Sequence, residues 1–111
     1  MMTIAEKIEM YKAKKQFIDG LNEVFKANPK GTGVRDISYE LFEKVIDENT
    51  TYFYEYIVIT FEGGGKSPIN VNGNSNSANF RAISKLIDGG YYDEVKYYEG
   101  MEESGFERVA L

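Results

Sequence analysis

The stretch of the sequence closest to a known chemical motif is a glycine-rich loop, Gly63-Gly-Gly-Lys-Ser67. Glycines followed by a lysine and a hydroxyl residue are typical of loops that hold the phosphates of a nucleotide. The full motif also needs a glycine at the position that Thr60 occupies here, and a helix that begins at the lysine. The residues after Lys66 instead alternate like a strand. We therefore predict a hairpin turn in which glycines supply positive φ angles and Lys66 is exposed.

A second polar loop, Gly73-Asn-Ser-Asn-Ser77, leads into a predicted helix. The loop lacks the carboxylates that a calcium-binding loop requires. Serine and asparagine at this place are good caps for a helix N-terminus. The amides of the first turn also form a candidate site for an anion or a nucleotide phosphate, because a helix N-terminus carries partial positive charge. The residues of this alternative ligand-binding site are Ser75, Asn76, Ser77 and Arg81.

Groups that perform catalysis near neutral pH are scarce in this chain. It contains no histidine and no cysteine, so the commonest general base and the thiolate ligands of metal sites are both missing. Acidic pairs such as Glu102-Glu103 lie in polar stretches, without the apolar surroundings that prepare a carboxyl group for general acid–base catalysis. No nucleophile stands beside a base. We therefore expect no enzymatic activity, no cofactor and no bound metal.

The remaining chemical signal is tyrosine beside acid. The segment Tyr91–Glu99 contains four of the nine tyrosines together with three acids, and three further tyrosines alternate along a predicted strand. Tyrosine is favoured at interfaces because it buries a large area with few rotatable bonds and keeps a hydroxyl for hydrogen bonding. The other interpretation is that these rings cover the edge of the core. The predicted partner-binding residues are Tyr52, Tyr54, Tyr56, Tyr92, Glu94, Tyr97, Glu99 and Glu103.

The formal net charge is −5, and it is unevenly distributed. Residues 1–30 carry six lysines and four acids, whereas residues 91–111 carry six acids and two bases. An acidic chain gains nothing from counterion release on a phosphate backbone, so direct binding to nucleic acid is not expected. An acidic surface can instead compete for a basic groove of another protein. No apolar signal segment or membrane-spanning run is visible, so we expect no membrane association and a cytoplasmic location.

The element that must position the tyrosines is a strand over residues 51–61, rich in aromatic and β-branched residues. Alternation gives it an apolar face and a tyrosine-rich face, which predicts a central strand with helices behind it. The apolar face carries Phe53, Glu55, Ile57, Ile59 and Phe61, and the other carries Tyr52, Tyr54, Tyr56, Val58 and Thr60. We predict flanking strands over residues 36–46 and 67–72, although the first also has the spacing of a helix. Pro68 places the last strand at an edge of the sheet.

Helices are predicted on both sides of these strands in the sequence. A capping box, Thr3-Ile-Ala-Glu6, begins a long helix that ends near Ala27, and its face bearing Lys7, Lys14 and Lys15 is expected to be solvated. Residues 78–88 and 91–104 form two further candidates, and residues 106–109 add a short strand or a packing segment. We expect a core that joins the central strand to the helices through Ile8, Ile18, Ile57, Ile59, Phe61 and Ile83.

In size, acidity and its tyrosine- and glutamate-rich surface, the chain resembles small phage-encoded anti-defence inhibitors of the anti-CRISPR kind. The resemblance implies a protein that occludes a basic nucleic-acid groove of a partner or sequesters a nucleotide signal. We therefore predict one α+β domain over residues 1–111, with a long N-terminal helix, a three-stranded antiparallel meander and one or two C-terminal helices on one sheet face. The predicted function is a non-enzymatic inhibitor or adaptor that binds a protein, with small-ligand binding as the alternative. A homodimer is compatible with the sequence.

Overall fold

The computed structural model describes residues 2–89 and 95–111 and has an α+β architecture built on one antiparallel sheet. The long N-terminal helix precedes the first three strands, and the remaining elements follow them in the chain. The elements are α1 (Ile4–Lys26), α2 (Pro29–Thr32), β1 (Val34–Asp47), β2 (Thr50–Phe61), β3 (Lys66–Asn70), α3 (Asn76–Ile87), α4 (Val95–Glu99) and β4 (Glu107–Arg108). None of the described helices is long and apolar enough to cross a membrane.

The sheet has four strands in the order β3-β2-β1-β4, and every pairing is antiparallel. The strand prediction for residues 36–46 is confirmed, because β1 pairs with β2 along almost its whole length. β2 is central, as predicted. The sheet has one strand more than the predicted three, because the short-strand alternative for residues 106–109 is confirmed. β4 pairs with Phe42 and Glu43 at the outer edge of β1, and the Val109 amide donates to the Leu41 carbonyl oxygen at 2.8 Å. Two polar residues carry no periodicity, so only the return of the chain creates this strand.

Helix α1 begins at the predicted capping box. The Glu6 amide donates to the Thr3 hydroxyl at 3.1 Å, and the Thr3 amide donates to the Glu6 carboxylate at 3.2 Å. The helix is attached to β1 through Asn22, whose side-chain oxygen accepts from the Ile37 amide at 2.8 Å. This side chain satisfies a strand amide that would otherwise need water or another strand. The helix therefore covers one sheet face and also contacts a strand backbone.

One face of the sheet holds the main core. Alternating residues of β1 and β2 meet α1 and α3 there, and Ile57 and Ile59 are fully buried between their neighbours. Ile8 and Phe61 are partly buried against the same cluster, so the predicted core is confirmed. The buried members are Tyr11, Ile18, Val34, Ile37, Tyr39, Leu41, Ile57, Ile59, Ile69, Val71, Ile83 and Leu86.

The opposite face carries a second, aromatic core. Phe42, Tyr56 and Met101 are buried together, with Tyr98 and Phe106 packed against them. The prediction that the C-terminal helices pack on one sheet face was therefore wrong, since α3 joins the main core while α4 and the turn after it cover the other face. The physical reason is that the tyrosine-rich face of β2 is itself too apolar to stay in water, so part of the chain must return to cover it.

The glycine-rich segment between β2 and β3 is a hairpin turn. The Gly64 amide donates to the Phe61 carbonyl oxygen at 2.8 Å, and Gly64 has a φ of +88°. β3 begins at Lys66, which is exposed, so no helix follows the lysine. This geometry confirms the turn prediction, and it places Pro68 in an edge strand as expected.

We expect Gly64→Ala to lower the free energy of unfolding by about 1 kcal/mol, because a side chain is strained at positive φ even though the space around it is open. Lys66→Ala, two residues away and exposed, should change it by less than about 0.5 kcal/mol. Urea denaturation of both variants measures the difference. A nucleotide that raises the melting temperature of the wild type but not of Lys66→Ala would contradict the turn interpretation.

Candidate functional site

A pocket of about 390 Å³ lies among the predicted partner-binding residues, on the aromatic face of the sheet. It is bounded by strand residues below and by α4 and the following turn at one side. We call it the tyrosine pocket. Its lining residues are Tyr54, Tyr56, Asn70, Tyr97, Gly100, Met101, Ser104 and Phe106.

The positions of the tyrosines follow from strand alternation. Tyr54 and Tyr56 are two residues apart on β2, so they point to the same face, and Asn70 of β3 pairs directly with Tyr56. The ring of Phe106 meets that of Tyr54 edge-to-face at 5.0 Å, and the Tyr98 ring meets that of Tyr56 at 5.4 Å. Such tilted pairs stabilise the arrangement beyond the area that they bury. The floor of the pocket is therefore held by packing, whereas Tyr97 of α4 is 70% exposed at its rim.

A polar cluster beside the pocket holds the C-terminal segment on the sheet. The Tyr98 hydroxyl donates to the Glu40 carboxylate at 2.8 Å, and Arg108 forms an ion pair with the same carboxylate. The Arg108 guanidinium also lies 4.8 Å from the centre of the Phe42 ring. Burial, followed by the nearby charge of Glu102, raises the pKa of Tyr98. A neutral tyrosine thus remains a hydrogen-bond donor to Glu40 at physiological pH.

A second cation sits over an aromatic ring of this face. The Lys44 ammonium donates to the Ser104 carbonyl oxygen at 2.9 Å and lies 5.7 Å from the centre of the Phe106 ring. Three acids of the same covering segment, Glu99, Glu102 and Glu103, are exposed and adjoin the pocket residues Gly100, Met101 and Ser104 in the chain. The pocket is therefore aromatic inside and has exposed acids next to its rim.

The structure brings together only some of the predicted partner-binding residues. Tyr54, Tyr56 and Tyr97 line the tyrosine pocket, while Glu99 and Glu103 adjoin it. Tyr92 and Glu94 lie outside the described residues. Tyr52 does not line the tyrosine pocket; it is 55% exposed and lines a neighbouring depression of about 350 Å³, which shares Tyr54 with the tyrosine pocket and includes residues of α1. That second depression is lined by Lys7, Tyr11, Thr51, Tyr52, Phe53, Tyr54 and Asn72.

The alternative ligand-binding residues lie at the start of α3. Ser75 is the N-cap, and its hydroxyl accepts from the Ala78 amide at 3.2 Å, which confirms the capping interpretation. Asn76, Ser77 and Arg81 are exposed. Asn79 is fully buried on the inner side of the same helix, and its side-chain amide has no hydrogen-bond partner within residues 2–89 and 95–111. The anion interpretation of this helix start remains a prediction.

Sequence reasoning missed the most enclosed charge of the described residues, Glu55. Its side chain is only 4% exposed, because it lies on β2 among core residues. One carboxylate oxygen accepts from the Lys14 ammonium at 2.8 Å and from the Tyr39 hydroxyl at 2.7 Å. The other accepts from the Gly73 amide at 2.9 Å. An acid on the apolar face of a strand was the available signal that a buried partner must exist.

Lys14 corrects the expectation of a solvated lysine face on α1. Its side chain is only 12% exposed, and its ammonium lies 5.7 Å from the centre of the Tyr11 ring. Helical spacing cannot distinguish an exposed lysine from one that reaches a carboxylate 41 residues away. Lys14 and Lys15 are neighbours in the chain, yet Lys15 pairs with Asp19 at the surface.

The Glu55 cluster is suited to holding the fold rather than to catalysis. Both carboxylate oxygens have protein partners, and the group is closed to a substrate. Burial is the main cause that raises the pKa of Tyr39 far above its usual value, and the hydrogen bond to Glu55 adds to it. Burial and the Glu55 charge also raise the pKa of Tyr11. Within the described part of the chain, no group of three acidic, histidine or cysteine residues is placed to hold a metal ion.

Comparison of the chain with known protein families, with curated proteins and with solved structures finds no match.

We expect Lys14→Met to lower the free energy of unfolding by about 3 kcal/mol, because it leaves the buried Glu55 carboxylate without its cation. The matched control is Lys15→Met, which breaks an exposed pair with Asp19 and should cost less than about 1 kcal/mol. Urea denaturation followed by circular dichroism measures both. Equal losses of unfolding free energy in the two variants would contradict the prediction that breaking the buried pair costs more than breaking the exposed one.

The raised pKa of Tyr39 makes stability fall in alkali. A tyrosine in the unfolded chain ionises at about pH 10, whereas Tyr39 in the folded protein stays neutral there. The contribution of Tyr39 to the free energy of unfolding is therefore fully present below that pH and is lost as the pH rises above it. When the folded protein is titrated up to about pH 11, the increase in tyrosinate absorbance should be the same for Tyr39→Phe as for the wild type. In denaturant, where all nine tyrosines ionise, Tyr39→Phe should remove one ninth of the increase in tyrosinate absorbance. A loss in the folded titration would contradict the raised pKa.

Proposed function

We propose that the protein is a non-enzymatic inhibitor or adaptor that binds a basic protein partner through the tyrosine pocket and its acidic rim. The observation that carries this proposal is the convergence of Tyr54, Tyr56 and Tyr97 on one open pocket. Aromatic anchors that meet a pocket are the usual sites of high binding energy in protein interfaces. The acids beside the rim add a charge preference to that shape.

The division of the surface supports binding by two different physical means. Packed rings of the pocket floor present a preorganised apolar surface, so little entropy is lost when a partner side chain enters. Exposed acids such as Glu99 and Glu103 act at longer range and accelerate encounter with a basic surface. The rings are therefore expected to control the dissociation rate and the acids to control the association rate.

A basic nucleic-acid groove of another protein is the partner surface that we propose, in the cytoplasm and in the manner of phage anti-defence inhibitors. The net charge of −5 and the acidic C-terminal region support it, because such a surface imitates the charge of a phosphate backbone. The aromatic pocket supplies the contacts that charge alone lacks.

Affinity capture tests the proposal. Immobilised wild type, Tyr97→Ala and the matched control Tyr52→Ala are each incubated with lysate of the host bacterium, and the retained proteins are identified by mass spectrometry. Both tyrosines are exposed, but only Tyr97 lines the tyrosine pocket. We expect a basic protein to be lost by Tyr97→Ala and retained by Tyr52→Ala. Equal retention by all three proteins would refute a role of the pocket in partner binding.

Rates measured with the captured partner separate the two contributions. Reversal of Glu99 and Glu103 to lysine adds two charges at each position and changes the net charge from −5 to −1. This variant should associate more slowly, most clearly at low salt. Tyr97→Ala should instead raise the dissociation rate by a factor equivalent to about 1–3 kcal/mol. If the reversal leaves association unchanged, the acids are only solvated, and nucleotide binding at Ser75, Asn76, Ser77 and Arg81 becomes the next candidate to test by thermal shift.

A further inference from the structure

We infer that the tyrosine pocket is a receptor for a single arginine side chain of the partner protein. This inference rests on the proposed function and specifies which group the partner inserts. The pocket volume of about 390 Å³ is near the lower end of the range for ligand pockets, which suits one long side chain better than a whole peptide.

The lining of the pocket favours a cation. Rings of Tyr54, Tyr56, Tyr97 and Phe106 form four of its eight lining residues. The face of an aromatic ring is electronegative, so a cation enclosed by several rings is attracted by each of them. An anion would meet the same electronegative ring faces, which disfavour it.

The same sheet face already stabilises a guanidinium of the protein itself. Arg108 lies over the Phe42 and Tyr98 rings, at 4.8 and 5.7 Å from their centres, and pairs with Glu40. Lys44 likewise lies over the Phe106 ring. Two cations of this chain therefore use the chemistry that we assign to the pocket: a ring face for the charge and an oxygen acceptor at its edge.

Arginine is preferred to lysine as the occupant for geometric reasons. A guanidinium is planar, is more weakly hydrated than an ammonium, and stacks on a ring while its edge donates hydrogen bonds. Tyr97 offers an exposed ring and Ser104 an exposed polar residue at the mouth of the pocket, so both kinds of contact are accessible to an entering side chain. A lysine presents only a point charge, which the acids outside the pocket can hold without entry.

Three capped heptapeptides test the inference. Their central residue is arginine, its neutral isostere citrulline, or lysine, and all other positions are glycine or serine. Binding is followed by NMR titration of the isotope-labelled protein. The arginine peptide should shift the ring signals of Tyr54, Tyr97 and Phe106. The citrulline peptide should bind about fivefold more weakly or worse, the factor that corresponds to a cation–π contact of about 1 kcal/mol. The lysine peptide should lie between the two.

The matched variants are Tyr97→Leu and Tyr52→Leu, which remove one exposed ring each, inside and outside the tyrosine pocket. Tyr97→Leu should weaken binding of the arginine peptide about fivefold, and Tyr52→Leu should leave it unchanged. Equal binding of the arginine and citrulline peptides would overturn the inference, and so would a failure of the arginine peptide to bind. Arginine binding that is indifferent to Tyr97→Leu would assign it to the surface acids and also overturn the inference.

Failure of this inference is distinguishable from failure of the proposed function. If the arginine peptide does not bind the pocket but capture of a basic protein still depends on Tyr97, the proposed function stands and its occupant is another group. If the peptide binds as expected but no capture depends on Tyr97, the receptor chemistry stands and the inhibitor or adaptor role falls.

Discussion

The antiparallel pairing of β1 with β2 is the constraint on which the rest of the structure depends. It runs from Val34 opposite Phe61 to Asp47 opposite Thr50 and creates a two-sided platform. Each face exposes too much apolar surface to remain in water, so each must be covered. α1 and α3 cover one face, and α4 with the following turn covers the other. The architecture is therefore set by how two unequal faces are removed from solvent.

The two faces are stabilised by different chemistry. The main core is mostly aliphatic, with Tyr11 and Tyr39 among its buried members. Within the described residues it encloses one buried charged side chain, Glu55, whose Lys14 and Tyr39 partners tie α1 and β1 to β2. A buried carboxylate costs several kcal/mol in desolvation, so its value lies in specifying one arrangement of helix and sheet rather than in added stability. We propose this role for the Glu55 cluster. The aromatic face instead depends on tilted ring contacts and on the Glu40–Arg108 pair.

The aromatic face combines residues that hold the fold with the exposed part of the proposed binding site. Phe42, Tyr56 and Met101 are buried and hold the covering segment, while Tyr97 remains exposed. Incomplete coverage leaves the tyrosine pocket between strand and helix. We propose that this surface binds a partner protein. It fits recognition, because rings held by their neighbours present a fixed shape, and exposed acids give that shape a preference for positive charge.

The sequence by itself determined the features that depend on residues close together in the chain. The capping box at Thr3, the two faces of β2 and the turn at Gly64 were all predictable, because backbone geometry and side-chain alternation are encoded locally. The tyrosines of the site were also predictable as a residue class. Tertiary structure alone decided which of them converge: Tyr54, Tyr56 and Tyr97 share a pocket, but Tyr52 does not. Tertiary structure also decided the partner of Glu55, which lies 41 residues away, and the pairing of β4. Both contacts depend on where the chain returns, and local periodicity contains no information about that.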